Sequence, residues 1–143
     1  MTTWMRATTG ATRANFVDHS GLEEGSRISP SDMVKVLTYS GWDGPLHRLV
    51  KKIPLHDAKG RPIKNSPIKV HAKTGTLNFV SALAGYIETP RQQNLIFAIF
   101  TGDMPRRTKI KKADRERPKG ARAWNRRSKR LQQKLIERWS ATF

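Results

Sequence analysis

The segment His71–Leu77, HAKTGTL, places a lysine, a threonine and a glycine where an alternating apolar pattern ends. A lysine ammonium and a threonine hydroxyl can together bind a carboxylate. A glycine lets another backbone approach a strand edge, because it has no Cβ. An extended peptide could be held there by strand addition. A solvated lysine in an ordinary hairpin turn is the competing interpretation, and these seven residues alone leave both open.

Two other kinds of site find little support in the sequence. A phosphate-binding loop needs Gly-x-x-x-x-Gly-Lys before a helix, and that pattern does not precede Lys73. The chain has no cysteine, and its histidines lack the i, i+4 spacing that places two ligands on one helix face. These are His19, His47, His56 and His71. The sequence therefore predicts neither a cofactor nor a metal centre.

The composition is that of one strongly basic domain. The 143 residues include 28 Lys and Arg against 11 Asp and Glu, a formal net charge of +17. This length suffices for one hydrophobic core and hardly for two. The charge predicts attraction to polyanions such as nucleic acid, anionic lipid or cell-wall polymer. Residues 1–10 lack the apolar region of an export signal, and no apolar run reaches the ~20 residues that cross a bilayer.

A helix is predicted over about Pro30–Tyr39. Ser29 is a suitable N-cap, a proline suits the first helical position, and Asp32 stands where it could reach back as in a capping box. Gly41 should end this helix with a left-handed cap. Residues 41–67 are rich in Gly and Pro, which favours an irregular loop.

Three runs with the character of strands follow. Residues 68–73 alternate apolar and polar side chains, whereas Asn78–Glu88 and Asn94–Thr101 are apolar on both faces, as in central strands. Gly75 separates the first run from the second, and a short polar connection joins the second to the third. The simplest topology is an antiparallel three-stranded meander. The predicted class is α+β, an antiparallel sheet flanked by helices.

The carboxy-terminal part of the chain is strongly basic. Residues 106–138 contain fifteen basic and three acidic side chains, a net +12. Four apolar residues there are spaced by seven, four and four: Trp124, Leu131, Leu135 and Trp139. This spacing predicts a closing helix over 121–140, with an apolar stripe on the sheet and a basic face toward solvent. Residues 104–120 would be a basic connection.

Four stretches stand in the order of a known family: VDHSGL (17–22), SRISPSDMVKVL (26–37), AKTGTLNFVSALAGYI (72–87) and ERPKGARAWNRRSKRLQQKLIERW (116–139). They resemble the carboxy-terminal part of the serine D-Ala-D-Ala carboxypeptidase/endopeptidases, penicillin-binding proteins of low molecular mass. The resemblance implies a partial penicillin-recognising fold, as in serine β-lactamases and transpeptidases, with the Lys-Thr-Gly strand as one wall of the active site. Residues 1–143 would be the carboxy-terminal portion of one catalytic domain.

The resemblance implies roles for the residues of this strand. Lys73 would supply positive charge beside the nucleophile and the substrate carboxylate, and Thr74 would hydrogen-bond that carboxylate. Gly75 would leave the active-site wall free of a side chain, and the backbone N–H of Thr76 would be one oxyanion-hole donor.

A second family signature lies near the amino terminus, at Asp18, Ser20 and Gly21. No chemical step follows from these residue types at this spacing. A turn stabilised by the Asp and Ser side chains is the role we expect for them.

The sequence departs from the family pattern at the nucleophile. These enzymes use Ser-x-x-Lys at a helix N-terminus and a separate Ser-x-Asn. Ser66-Pro67-Ile68-Lys69 matches the first pattern as text, but it leads into a strand, where residues three apart point to opposite faces. No Ser-x-Asn occurs. We interpret the chain as a truncated piece, with Met1 as an internal methionine of a parent helix, and expect it to be inactive alone.

The family implies an activity for the parent enzyme. It would hydrolyse peptidoglycan peptides ending in D-Ala-D-Ala, or D-alanyl cross-links, through an acyl-serine intermediate, with β-lactams as suicide substrates. The parent would work in the periplasm or at the outer face of the membrane.

The alternative function is a small basic module that binds nucleic acid or an anionic surface through residues 106–138. Against it, both tryptophans of the tail fall on the apolar stripe and leave no exposed stacking platform. A specific nucleic-acid partner is therefore not expected.

Overall fold

We describe a computed structural model of the protein, which covers residues 1–19, 25–111, 116 and 118–143. Its helices are α1 (Thr2–Thr9), α2 (Pro30–Ser40), α3 (Pro45–Leu49), α4 (Met104–Thr108) and α5 (Ala121–Thr142). Its strands are β1 (Lys51–Lys52), β2 (Lys69–Leu77), β3 (Val80–Glu88) and β4 (Asn94–Gly102). The strands form one antiparallel sheet in the order β1-β2-β3-β4. The predicted α+β class is confirmed.

The meander of β2, β3 and β4 is confirmed, but its first turn lies elsewhere than predicted. β2 stays paired with β3 through Gly75 and on to the end of the strand, with Thr76 opposite Ser81. The chain turns at the two residues between the strands, Asn78 and Phe79, and Phe79 has a φ of 60°. A glycine within a paired strand weakens the pattern of a strand without ending it.

The segment 41–67 contains two short elements that its composition did not predict. α3 begins after Gly44, where a Cβ would lie 1.6 Å from the carbonyl oxygen of Ser40. β1 pairs Lys52 with His71 at the start of the sheet. Elements of five and two residues are too short to show a hydrophobic period.

α2 is the helix predicted after Ser29, whose hydroxyl accepts a hydrogen bond from Asp32 N at 3.1 Å. The buried Asp32 carboxylate accepts from Arg13 N at 2.8 Å and lies 3.4 Å from Lys35 Nζ. It therefore ties α2 to the segment after α1. Gly41 has the expected positive φ of 76°, but its ψ of 164° lies outside the left-handed helical region. The predicted left-handed cap is therefore wrong in its ψ angle.

Both faces of the sheet are covered. One face, the α5 face, packs against α5. The buried side chains between them are Val70, Ala72, Leu83, Ile87, Phe97, Ile99 and Ile136. The α2 face packs with α2 and α3 around Leu37, Ala84 and Tyr86. Side chains alternate across a strand, so the even-numbered residues of β2 lie on the α5 face and the odd-numbered ones on the α2 face. Lys73 is on the α2 face.

α5 is the predicted closing helix, but it is rotated relative to the predicted stripe. Leu131, expected to be buried, is 49% exposed, whereas Gln132 is 4% exposed. Gln132 Nε2 donates to Ser81 Oγ at 3.1 Å and to Ser81 O at 3.3 Å. A polar side chain that is hydrogen-bonded to the sheet therefore lies in the contact between α5 and the sheet. The spacing of apolar residues cannot reveal such a position. Leu135 and Trp139 do pack against the core.

This orientation of α5 can be tested with two truncations on the same helix. Ile136 is 1% exposed, so Ile136→Ala should lower the free energy of unfolding by ~2–5 kcal/mol. Leu131→Ala is the matched control and should change it by less than about 0.5 kcal/mol. Urea denaturation measures both. Equal losses would contradict the observed rotation of the helix.

Candidate functional site

β2 has an unpaired outer edge beyond the end of β1. β1 pairs only with His71 and Ala72. In the ranges that the structure describes, no strand pairs with the outer side of β2 from Lys73 to Leu77. Every residue of this segment, the open β2 edge, is exposed. The Lys-Thr-Gly motif therefore lies within a strand at an accessible edge, and the hairpin turn comes several residues later.

The backbone groups of Thr74 and Thr76 point away from the sheet. Ile53 N donates to Val70 O at 2.8 Å, so the groups of Val70 face outward. Hydrogen bonding alternates from residue to residue in an antiparallel pair. The even-numbered residues of β2 therefore continue this outward series, while the odd-numbered ones bond to β3. Two N–H donors, two residues apart, face the open side.

The Lys73 side chain brings a positive charge to this edge. Its Nζ donates to Thr74 O at 2.8 Å, and the residue is exposed. The contact bends the ammonium back over the outward carbonyl of the next residue. A cation beside outward N–H groups can bind a carboxylate more strongly than either group alone.

Two glycines affect this strand differently. A Cβ on Gly75 would only touch Ala82 Cβ at 3.5 Å, an ordinary contact. A Cβ on Gly85 would lie 2.1 Å from His71 O and 2.6 Å from Ala72 Cα. Gly85 thus permits the close approach of β3 to β2 just before the motif. Sequence reasoning missed Gly85, although a glycine inside an apolar strand is a known sign of close backbone approach.

The hairpin end of β2 is anchored by polar side chains from the carboxy-terminal part. Asn125 Nδ2 on α5 donates to Leu77 O at 3.0 Å. Arg107 Nη1 on α4 donates to Asn78 O at 3.3 Å. These contacts join residues 48 and 29 positions apart in the chain, so no local pattern could predict them. They hold the end of β2 and the turn that follows it.

An aromatic cluster lies beside Lys73 on the α2 face. The ring centroids of His47 and His71 are 5.0 Å apart, and those of His47 and Tyr86 are 4.8 Å apart. The ring centroid of Trp42 lies 4.7 Å from that of His47, with the rings tilted, and 5.5 Å from that of Tyr86, edge to face. Spacing in the sequence did not connect the two histidines, because only the fold brings α3 over β2.

Burial lowers the pKa of His71, and the nearby charges of His47 and Lys52 lower it further, while Glu88 opposes them. Burial also raises the pKa of Tyr86. The neutral imidazole is therefore favoured beside Lys73. Within residues 1–19, 25–111, 116 and 118–143, no group of three or more His, Asp or Glu side chains is placed to hold a metal ion.

The other predicted site residues, Asp18, Ser20 and Gly21, come long before β2 in the chain. Asp18 Oδ1 accepts a hydrogen bond from Ser26 Oγ at 3.4 Å, in the segment that leads to α2. Ser20 and Gly21 lie outside the described residues.

The Ser-x-x-Lys match at residues 66–69 does not form a catalytic pair. Ser66 Oγ accepts from Ile68 N at 3.3 Å in a bend before β2. Lys69 Nζ pairs with Glu88 Oε1 at 2.8 Å. The lysine is therefore directed to Glu88 of β3.

Comparison with known proteins identifies the family. The model of the D-Ala-D-Ala carboxypeptidase 3 (S13) family matches residues 7–121, so the chain belongs to this family. The chain is also similar to penicillin-sensitive carboxypeptidase A of Dictyostelium discoideum, with 30% identity over 101 residues. That match covers 62% of this chain and 19% of the relative, so the chain spans about a fifth of the relative's length. No solved structure matches the chain.

The pKa of His71 predicts a specific dependence of stability on pH. Its pKa in the folded state is below the ordinary 6.5, so the unfolded state binds the proton more readily. Stability should fall as pH drops below about 6.5 and level off below the folded pKa. His71→Gln should flatten this part of the profile in thermal unfolding. His56→Gln, outside the cluster, should not. Identical profiles for wild type and His71→Gln would contradict the assignment.

The close approach at Gly85 predicts a second difference. Gly85→Ala should cost about 1–3 kcal/mol of unfolding free energy, because a Cβ would push against the β2 backbone. Gly75→Ala, on the adjacent strand, should cost less than about 0.5 kcal/mol. Chemical denaturation of the two variants provides the comparison. A loss at Gly75 as large as that at Gly85 would show that β2 and β3 are not packed as described.

Proposed function

We propose that this chain provides the lysine–threonine–glycine wall of a serine D-Ala-D-Ala carboxypeptidase/endopeptidase. The open β2 edge carries the proposal, since it combines outward N–H groups with the Lys73 ammonium. A peptide ending in D-Ala-D-Ala offers an extended backbone and a terminal carboxylate, the two features that such an edge can bind. Family membership supplies the class of reaction.

Each residue of the edge has a proposed role. Lys73 places positive charge beside the substrate carboxylate and the nucleophile, and the Thr74 hydroxyl bonds that carboxylate. Gly75 leaves the α2 side of the edge clear, since a side chain there would project beside Lys73. The outward N–H of Thr76 stabilises the oxyanion, a role worth about 3 to 4 kcal/mol in a complete site.

The reaction needs groups that this chain does not supply. In the family reaction a serine oxygen attacks the carbonyl carbon between the two D-alanines, the terminal D-Ala leaves with a proton, and water hydrolyses the ester. Ser66 lacks an activating lysine, since Lys69 pairs with Glu88, and the sequence contains no Ser-x-Asn. We infer that the isolated chain carries part of the binding surface and is inactive.

The setting of the parent enzyme follows from the same proposal. Its substrates are peptidoglycan peptides, its inhibitors are β-lactams, and it works in the periplasm or at the outer face of the membrane. None of the described helices is long and apolar enough to cross a membrane.

Binding to a polyanion is a second candidate function, favoured by the exposed face of α5. This face carries seven exposed basic residues and one partly exposed carboxylate, that of Glu137. Weak binding to DNA at low salt is expected from the net charge alone. Only a tight, sequence-selective complex at physiological salt would establish this function, and the half-buried Trp124 and Trp139 offer no exposed platform for stacking bases.

The first prediction from this proposal is that a fluorescent penicillin leaves the isolated chain unlabelled. Nucleophile and base are both missing, so no acyl-enzyme can form. Denaturing gel electrophoresis after incubation provides the measurement, with a complete member of the family as positive control. Stoichiometric label that survives denaturation would contradict the proposal, and Ser66→Ala would then show whether Ser66 carries it.

A further prediction concerns a complete family enzyme in which the segment 69–88 replaces its counterpart. Lys73→Ala should slow acylation by at least about a hundredfold with little change in stability, because its charge acts on the substrate. Lys69→Ala, on the same strand but paired with Glu88, is the matched control and should acylate normally. Normal acylation by Lys73→Ala would refute its proposed role.

A further inference from the structure

A row of positive charge runs along the exposed side of α5. Five basic residues follow one another at intervals of four positions: Arg122, Arg126, Arg130, Lys134 and Arg138. All five are exposed, whereas Ser128, Gln132 and Ile136 on the opposite side of the helix are buried. Residues four apart are neighbours on a helix surface. The five side chains therefore form one continuous line, the cationic row.

The charges of the cationic row are not neutralised by their neighbours. In the described ranges none of the five residues takes part in an ion pair. The one carboxylate of α5, that of Glu137, accepts a hydrogen bond from Gln133 Nε2 at 2.6 Å. Like charges four residues apart destabilise a helix. An anionic ligand along the row would relieve this repulsion.

The surroundings of the row favour a hydrated polyanion as its partner. A protein surface could cover five such charges only by offering a carboxylate to each, because unpaired buried charges are costly. The apolar side of α5 packs against the sheet, so the helix has no free apolar face to insert into a bilayer. A polymer that carries its own negative charges meets the row without either difficulty.

The spacing of the row selects among polyanions. One step of four residues advances about 6 Å along the helix axis, and the whole row spans roughly 24 Å. An extended chain advances about 3.3–3.6 Å for every three backbone bonds, so phosphates joined by a three-carbon polyol, six bonds apart, repeat about every 7 Å. Long Arg and Lys side chains can absorb the small difference between the two repeats.

Nucleic acids match the row less well. The phosphates of a DNA duplex are spaced about 3.4 Å apart along the axis on each strand, which is closer than the cations. A single strand has the same six-bond repeat, but proteins bind it by stacking its bases on exposed aromatic rings. Trp124 and Trp139 of α5 are half-buried.

We propose that the cationic row of α5 binds an anionic cell-wall polymer whose phosphodiesters are joined by short polyols, with one phosphate to each cation. This inference rests on the polyanion binding considered above and names a polymer without bases, for which sequence selectivity does not arise. α5 covers one face of the sheet, whereas Lys73 lies on the other. The polymer would therefore hold the chain at the wall and leave the open β2 edge free.

Glycerol phosphate oligomers of defined length test this proposal on the unaltered chain. In titration calorimetry at physiological salt, affinity should rise with each added phosphate up to about five and then level off, because the row holds five cations. A thymidine oligonucleotide with as many phosphates should bind no more tightly. No binding, affinity independent of length, or an oligonucleotide that binds at least about tenfold more tightly would each overturn the proposal.

Two triple variants with the same change in charge locate the site. Replacing Arg126, Arg130 and Lys134 by Gln should weaken binding at least about tenfold and reduce the slope of log K against log salt by about 2. The control replaces three exposed residues outside α5 in the same way: Arg13, Arg48 and Arg91. It should stay within about twofold of the unaltered chain.

Circular dichroism should show that both triple variants fold, because glutamine is a good helix former and the repulsion along α5 is relieved. Equal losses of affinity in the two variants would overturn the row as the site and leave only a general attraction of polyanions. Neither result bears on the proposed role of Lys73, which acylation tests separately.

Discussion

Alternation of hydrogen bonds along the β2–β3 ladder determines where each group of the candidate site points. Because odd-numbered residues of β2 bond to β3, the N–H groups of Thr74 and Thr76 face the open side. The same alternation puts the Lys73 side chain on the α2 face, from which its ammonium reaches the Thr74 carbonyl at 2.8 Å. A shift of register by one residue would exchange inward and outward groups and remove the site. The arrangement of the edge therefore depends on an exact ladder.

Several contacts fix that ladder from different sides. Gly85 allows β3 to lie against the β2 backbone without a Cβ. Asn125 on α5 holds the last carbonyl of β2 at 3.0 Å. β1 ends its pairing at Ala72, one residue before Lys73, and so leaves the motif accessible. The chain thus keeps a rigid strand with one free side, which is the arrangement that strand addition by a peptide requires.

The sequence predicted those features that local patterns encode. The alternation that buries Val70 and Ala72, the cap at Ser29 and the closing helix were all visible in it. The orientation of α5 was not visible in the sequence. Gln132 lies between α5 and the sheet because it is hydrogen-bonded to Ser81, and hydrophobicity gives no sign of that bond. Contacts between distant segments, such as those joining α3 to β2 and α5 to the hairpin, depend on tertiary packing. The Lys-Thr-Gly motif was found from sequence, but its edge position required the structure.

Amide hydrogen exchange along β2, followed residue by residue by NMR, shows whether the edge at the motif is open and whether alternate amides face outward. We expect rapid exchange at Thr74 and Thr76 and slow exchange at Lys73 and Gly75, whose N–H groups bond to β3. Equal protection of all four amides would mean that the edge is covered or the register is different, and either result would contradict the proposed wall of the active site.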